Sequence, residues 1–230
     1  EYFFENNGLT STTDGIHVHT NCDSRDLSQF LKTVSALEAG VSSVLKRMQW
    51  INLGGGYLFE EGQDLSPVVE AINLLKTRYG LTVFIEPGAS LIRSAGYLVS
   101  SVVDLFTRDG KLIAVLDTTV NHVPEVLEFG DELEVIGADE IGESTYILAG
   151  STCLAGDVFG SYSFHNPLEI GTKVIFRDVG AYTLAKAHTF NGINLPSVYS
   201  RNNLGELVLE KEFTYQDYAT KWRATTSVPI

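Results

Sequence analysis

Apolar positions in the first third of the chain alternate between helical spacing and short unbroken runs. Leu27, Phe30, Leu31, Val34, Leu37, Val41, Val44 and Leu45 follow the period of a one-sided helix, which predicts a helix from Arg25 to Arg47. Asn21-Cys22-Asp23-Ser24 ahead of it supplies N-cap chemistry. A second helix begins at Ser66-Pro67, turns Val68, Val69, Ile72, Leu75 and Tyr79 inward, and stops at Gly80. Around these lie three short runs of β-forming residues, Ile16 to Thr20, Trp50 to Leu53 and Thr82 to Glu86. Strand and helix thus alternate in the rhythm of a parallel α/β sheet or barrel. The opening, Glu1 to Asp14, reads as the tail of an amphipathic helix and a polar loop; a start without methionine predicts a piece of a longer polypeptide.

The texture changes after Arg93. Gly96 to Phe106, Leu112 to Leu116, Leu133 to Val135, Thr145 to Leu148, Lys173 to Arg177 and Gly180 to Leu184 read as strands separated by turns. The expectation is a break near residue 94, with α/β units over residues 1–93 and an antiparallel β domain over residues 94–230.

Composition adds exclusions. Of the 230 residues 44% are apolar and 20% charged, an ordinary globular balance. Lys plus Arg number 16 and Asp plus Glu 29, a net charge of −13, which argues against a nucleic-acid partner. A cationic small molecule suits that balance better. Cys22 and Cys153 are far apart, without metal spacing, and predict reduced thiols in a cytoplasm. No apolar run reaches the roughly 18 residues of a membrane span.

Candidate chemistry collects at the ends of the apolar runs. Gly54-Gly55-Gly56 closes the second run, where bare backbone N–H groups suit an anion such as phosphate. Glu86, before Pro87-Gly88, closes the third, at the end of the sheet where parallel folds display their chemistry.

Five motifs occur in one order: His17-Val18-His19-Thr20-Asn21-Cys22, Gly54-Gly55-Gly56, Glu86-Pro87-Gly88, Cys153-Leu154-Ala155-Gly156-Asp157 and Gly180-Ala181-Tyr182. In order and spacing they resemble the fold-type III pyridoxal-phosphate decarboxylases, the alanine-racemase-like barrels. Within that group, Ala95 to Val99, Asn121 to Glu128 and Thr189 to Ile193 look most like the carboxynorspermidine decarboxylases.

The resemblance implies a fold class of α/β plus all-β, the C-terminal part of a (β/α)8 barrel followed by an antiparallel β-sheet or barrel domain. It implies pyridoxal 5'-phosphate as cofactor and decarboxylation of carboxynorspermidine or carboxyspermidine in polyamine synthesis. Alternatives are a diaminopimelate, ornithine or arginine decarboxylase, or a catalytically silent relative. Glu86 matches the carboxylate beside the ring nitrogen, and His17 the imidazole stacked on the ring face. Thr20, Gly54, Gly55, Gly56, Gly88 and Tyr182 match the phosphate contacts. Cys153 matches the thiol that returns a proton after CO₂ leaves, and Asp157 the carboxylate that receives the distal ammonium of the substrate. Both enter the neighbouring subunit's site, so a homodimer with shared sites is implied. Cys22 is expected to be structural, His19, His122 and His188 to be packing or supporting residues, and Gly130-Asp131-Glu132 a solvated turn. No metal is expected.

Two departures stand out. Ala89 follows Glu86-Pro87-Gly88 where relatives carry a charge, and Arg93 is the candidate replacement. The family's Schiff-base lysine lies on an early barrel strand, and none of the eight lysines here, Lys32 through Lys221, falls in such a motif. The first part of the barrel is therefore expected outside this chain.

Overall fold

The computed structural model describes residues 13–130 and 132–222. The expected helical tail at the start of the chain, and Asp131 of the expected turn, lie outside these residues. The chain divides into two compact units, Glu1–Arg93 and Ser94–Ile230.

In the first unit β1 (Gly15–His17), β2 (Trp50–Asn52) and β3 (Thr82–Phe84) form a parallel three-stranded sheet in that order. Helices α1 (Gln29–Leu45) and α2 (Ser66–Tyr79) connect them. The helical spacing does its work through burial: Phe30, Val34, Val44 and Leu45 of α1 and Val68, Ala71 and Leu75 of α2 pack into one core with Ile51 and Leu53. Each of these side chains except Ala71 contributes about 1.5–3 kcal/mol when removed from water. Phe30 also stacks on Tyr57, with ring centroids 3.8 Å apart.

Helix α1 starts later than its spacing predicts. Ser24 is drawn onto the glycine loop, donating its N–H to the Gly56 carbonyl at 2.8 Å and accepting from the Leu58 N–H at 2.9 Å. Asp26 becomes the acceptor at the helix start, for the Ser28 N–H at 3.0 Å and Gln29 Nε2 at 2.6 Å. Gly80 ends α2 in the left-handed region, φ 70°, as its place after the last inward residue predicts. A short helix α3 (Gly88–Ile92) closes the unit.

The second unit is built on β4 (Tyr97–Arg108), β5 (Lys111–Leu116), β6 (Ser144–Ala149), β7 (Val158–Phe164) and β8 (Lys173–Arg177), in the sheet order β7-β6-β5-β4-β8. The expected all-antiparallel sheet is corrected to a mixed one, because β5 and β6 run parallel. The long connection between them crosses over, as parallel neighbours require, and carries a tight turn at Val120–His122 and helix α4 (Glu125–Phe129). Strand β4 serves two partners: its first half pairs with β8 and its second with β5, with an irregularity between Val102 and Asp104. Phe159 and Phe176 stack at 4.7 Å in the core below.

Two expected strands are not strands. Leu133 to Val135 makes one isolated bridge, Val135 to Phe176. Gly180 to Leu184 turns into helix α5 (Thr183–Lys186), because Asp178 at φ 62° and Tyr182 at φ 48° leave the extended region. Conversely β7 and a hairpin, β9 (Val198–Arg201) with β10 (Leu207–Lys211), were not expected. Serines and Gly160 interrupt the apolar signal of β7, and β10 is exposed throughout, so neither carries the alternation of a half-buried strand. Helix α6 (Tyr215–Ala219) follows behind a capping box of Thr214 and Asp217. Among the described residues no helix is long and apolar enough to cross a membrane.

Candidate functional site

Parallel register makes His17, Asn52 and Phe84 direct partners across the three-stranded sheet. Their side chains share one face, and Glu86, two residues beyond Phe84, returns to it. The other face carries Ile16, Ile51 and Val83 into the helix-covered core. Pairing continues past the strands: Val18 N–H donates to Asn52 O, Leu53 N–H to Phe84 O and Glu86 N–H to Gly54 O, each at 2.9 Å. The polar residues therefore stand at the carboxyl end of the sheet on its uncovered side, with 49% of the His17 side chain and 51% of the Glu86 side chain exposed.

Glu86 is held from one side. Its Oε1 accepts from Asn52 Nδ2 at 2.7 Å, while Oε2 lies 3.6 Å from His17 Nε2. Asn52 Oδ1 accepts in turn from the Gly54 N–H at 2.9 Å, so one amide fixes both the carboxylate and the glycine loop. Asn52 was not among the sequence candidates, although it is the one polar side chain in the apolar run Trp50 to Leu53. His19 meets the His17 ring edge-on at 6.3 Å, and its Nδ1 faces the Gly55 N–H at 3.5 Å. One ligand atom from each of His17, His19 and Glu86 lies within 4.8 Å of the others, a His₂–carboxylate set that zinc also accepts.

The triple glycine is required first by the backbone. Gly54 and Gly56 sit at φ 71° and 77°, and a Cβ on Gly54 would come within 2.6 Å of the Val18 carbonyl oxygen. A Cβ on Gly55 would overlap the Glu86 carbonyl oxygen, and one on Gly56 that of Asn21. The loops after β1 and β3 can close onto β2 only because these side chains are absent. The Gly54 and Gly88 N–H groups are taken within the fold, by Asn52 Oδ1 at 2.9 Å and Glu86 O at 2.8 Å. Thr20 Oγ1 accepts from Asn21 Nδ2 at 3.1 Å and lies 3.2 Å from Thr33 Oγ1. Arg93, the candidate replacement for the charge missing at Ala89, caps α3 at the end opposite Gly88.

The remaining candidates belong to the second unit. Cys153 is exposed on the loop between β6 and β7, and Cys22 is exposed too. Tyr182 is 63% exposed and holds φ 48°, a strained value for a side-chain-bearing residue, with Lys186 Nζ 6.0 Å from its ring. Asp157 is only 5% exposed, and both carboxylate oxygens accept hydrogen bonds from donors of its own unit.

His122, expected as a packing residue, is buried with Nδ1 2.8 Å from Thr118 Oγ1. Burial pushes its pKa down to about 4 against the pull of the Asn194 backbone and the Asp157 charge, so the ring is neutral at neutral pH. The stretches Asn121 to Glu128 and Thr189 to Ile193 meet in space: Asn121 Nδ2 donates to Phe190 O at 3.2 Å, and the His188 N–H to Asn121 O at 3.1 Å.

Comparison with known proteins bears on both units. A family model described as pyridoxal-dependent decarboxylase, C-terminal sheet domain, matches residues 13–180. A carboxynorspermidine/carboxyspermidine decarboxylase of Campylobacter jejuni is 35% identical, over 95% of this chain and 60% of its own length. A carboxyaminopropylagmatine decarboxylase of Synechocystis is also 35% identical, over 93% of this chain and 56% of its own. The crystal structure of carboxynorspermidine decarboxylase complexed with norspermidine from Campylobacter jejuni superposes with a TM-score of 0.80 at 33% identity, covering 90% of this chain and 60% of that one. The chain thus spans little more than half the length of the relatives it matches. One model running from β1 through the mixed sheet, and relatives that follow nearly every residue, give a single answer: the chain belongs to the pyridoxal-dependent decarboxylases.

Proposed function

We propose that this chain forms the carboxyl-terminal part of an enzyme that decarboxylates a carboxylated polyamine, carboxynorspermidine or carboxyspermidine, with pyridoxal 5'-phosphate. The observation that carries the reading is the convergence of His17, Asn52, Glu86 and the glycine loop at one end and on one face of a parallel sheet. The cofactor supplies a protonated pyridine ring that accepts the electron pair left when the α-carboxylate departs as CO₂.

The chain's own residues make that ring effective. Glu86, oriented by Asn52, holds the proton on the ring nitrogen, since an adjacent carboxylate favours the charged form. His17 covers the ring face. Gly55 and Gly56, with Thr20, meet the phosphate, while Gly54 and Gly88 shape the loops that carry it. Cys153 returns a proton to the substrate carbon and recovers one from solvent. Residues 1–93 are read as the last units of a (β/α)8 barrel and residues 94–230 as its β domain. The lysine that holds the cofactor aldehyde and the earlier strands then come from outside these residues. The assembly is a homodimer in which Cys153 serves the partner's site, working in the cytoplasm with both thiols reduced.

The test is CO₂ release by the full-length polypeptide from carboxynorspermidine, carboxyspermidine, carboxyaminopropylagmatine, meso-diaminopimelate, ornithine and arginine. The first two are expected to turn over fastest. Preference for one of the last three assigns the chain to the corresponding amino-acid decarboxylase. If the protein binds cofactor, seen as a visible band lost with hydroxylamine, yet none of the six reacts, it is a silent relative.

A further inference from the structure

The loop that carries Cys153 lies over a carboxylate with no capacity left for a ligand. Asp157 Oδ1 accepts from Thr119 Oγ1 at 3.0 Å and from the Val120 N–H at 2.9 Å. Its Oδ2 accepts from the Thr152 N–H at 3.1 Å and from Thr152 Oγ1 at 2.5 Å. These donors fill the roughly four acceptor positions of a carboxylate, in a residue 5% exposed. Two come from the residue next to Cys153, and two from Thr119 and Val120, at the start of the turn that follows β5.

The same two segments are stitched by the backbone where the Ser151 N–H donates to Thr118 O at 3.0 Å, and the Cys153 loop closes on itself where the Gly150 N–H donates to Asp157 O at 2.8 Å. Gly150 leaves room for the carboxylate, because a Cβ there would overlap it. A substrate ammonium reaching Asp157 would have to displace charge-assisted bonds, each worth more than a neutral one.

We propose that Asp157 is a positioning residue: clamped between Thr152 and the Thr119–Val120 turn, it fixes the exposed Cys153 loop in place and does not bind substrate. The inference rests on the reading of Cys153 as the proton donor, and it moves substrate recognition away from Asp157. Since the clamped turn also carries Asn121, which holds the Phe190 segment, the carboxylate ties the Cys153 loop to that segment as well.

The experiment uses the full-length polypeptide in a Cys22→Ser background. A nitroxide on Cys153 reads loop order without any turnover, and steady-state kinetics on the unlabelled protein separates kcat from KM. Asp157→Asn is expected to mobilise the label and to lower kcat at least tenfold with KM within twofold. Thr119→Val and Thr152→Val, which keep shape and remove only hydroxyls, should shift the label the same way, and Thr152→Ser should restore the wild-type spectrum. These variants, with Gly150→Ala, keep the question decidable if Asp157→Asn does not fold. An unchanged label in all of them overturns the proposal. So does a KM raised tenfold at unchanged kcat, the mark of a lost substrate contact. Absence of activity with every substrate defeats the proposed function alone, and the label still decides the role of Asp157.

Discussion

The two units treat their carboxylates in opposite ways. In the first, Glu86 stands half exposed at the end of an open sheet, with one oxygen held by Asn52 and the other turned toward His17 at 3.6 Å. In the second, Asp157 is buried beneath a loop with all its acceptor positions filled. A buried charge survives only when its hydrogen bonds are complete, and completing them removes it from chemistry. An exposed carboxylate held from one side is fixed in direction and still open to a cation. The contrast separates a group that can act from a group that holds another in position.

The most direct way to break this comparison is to remove the charge of Glu86. Glu86→Gln keeps an acceptor for Asn52 but cannot hold a ring proton, so kcat of the full-length polypeptide should fall on the order of 10²–10⁴-fold with little change in melting temperature. Activity near wild type would make Glu86 a solvated loop acid and end its assignment to the ring nitrogen. Core truncations come next. Phe30→Ala and Phe159→Ala should each cost about 3–5 kcal/mol, read from urea unfolding followed by circular dichroism, because each empties a stacked aromatic site in a separate core. If the units unfold independently, each variant moves one transition and leaves the other.

The third test sharpens the electrostatic side. The folded pKa of His122, about 4, lies below the ordinary value of 6.5, so the unfolded chain takes up the proton first as pH falls. Its contribution is complete above pH 6.5 and lost between 6.5 and 4, up to about 3 kcal/mol in all. Urea midpoints between pH 7.5 and 4.5 should show the loss, and His122→Asn should flatten it; a slope that survives the substitution assigns the acid sensitivity elsewhere. A smaller effect belongs to Asn52→Leu, which removes the partner of Glu86 Oε1 and of the Gly54 N–H at a partly solvated site and should cost about 0.5–1.5 kcal/mol. Smallest is the His17–Glu86 contact itself. Exposed on both sides, it should contribute under about 1 kcal/mol and fade in high salt, as a double-mutant cycle at two salt concentrations would measure.

Much of this was legible in the chain. The spacing of Phe30, Val34, Val44 and Leu45 fixed which face of α1 turns inward, and the proline and glycine punctuation bounded α2 to within a residue. Five ordered motifs carried the family. The parallel step between β5 and β6 was hidden, because strand direction is set by where a connection travels and not by the residues of the strands. Lightly buried β7 and β10 lack the alternation that marks a strand in sequence, and Gly180 to Leu184 reads as a strand because nothing local announces positive φ at Asp178 and Tyr182.

By itself the sequence determined periodicity, turn chemistry and the kinds of group available: a thiol, an imidazole, two acids and a run of glycines. Only the tertiary structure decided which acid faces outward. Burial and hydrogen-bond partners arise from segments far apart in the chain, Thr119 and Thr152 around Asp157, and Asn52 and His17 beside Glu86. A carboxylate reads the same in one dimension whether its lone pairs are filled or free; the neighbours that fold around it make the difference.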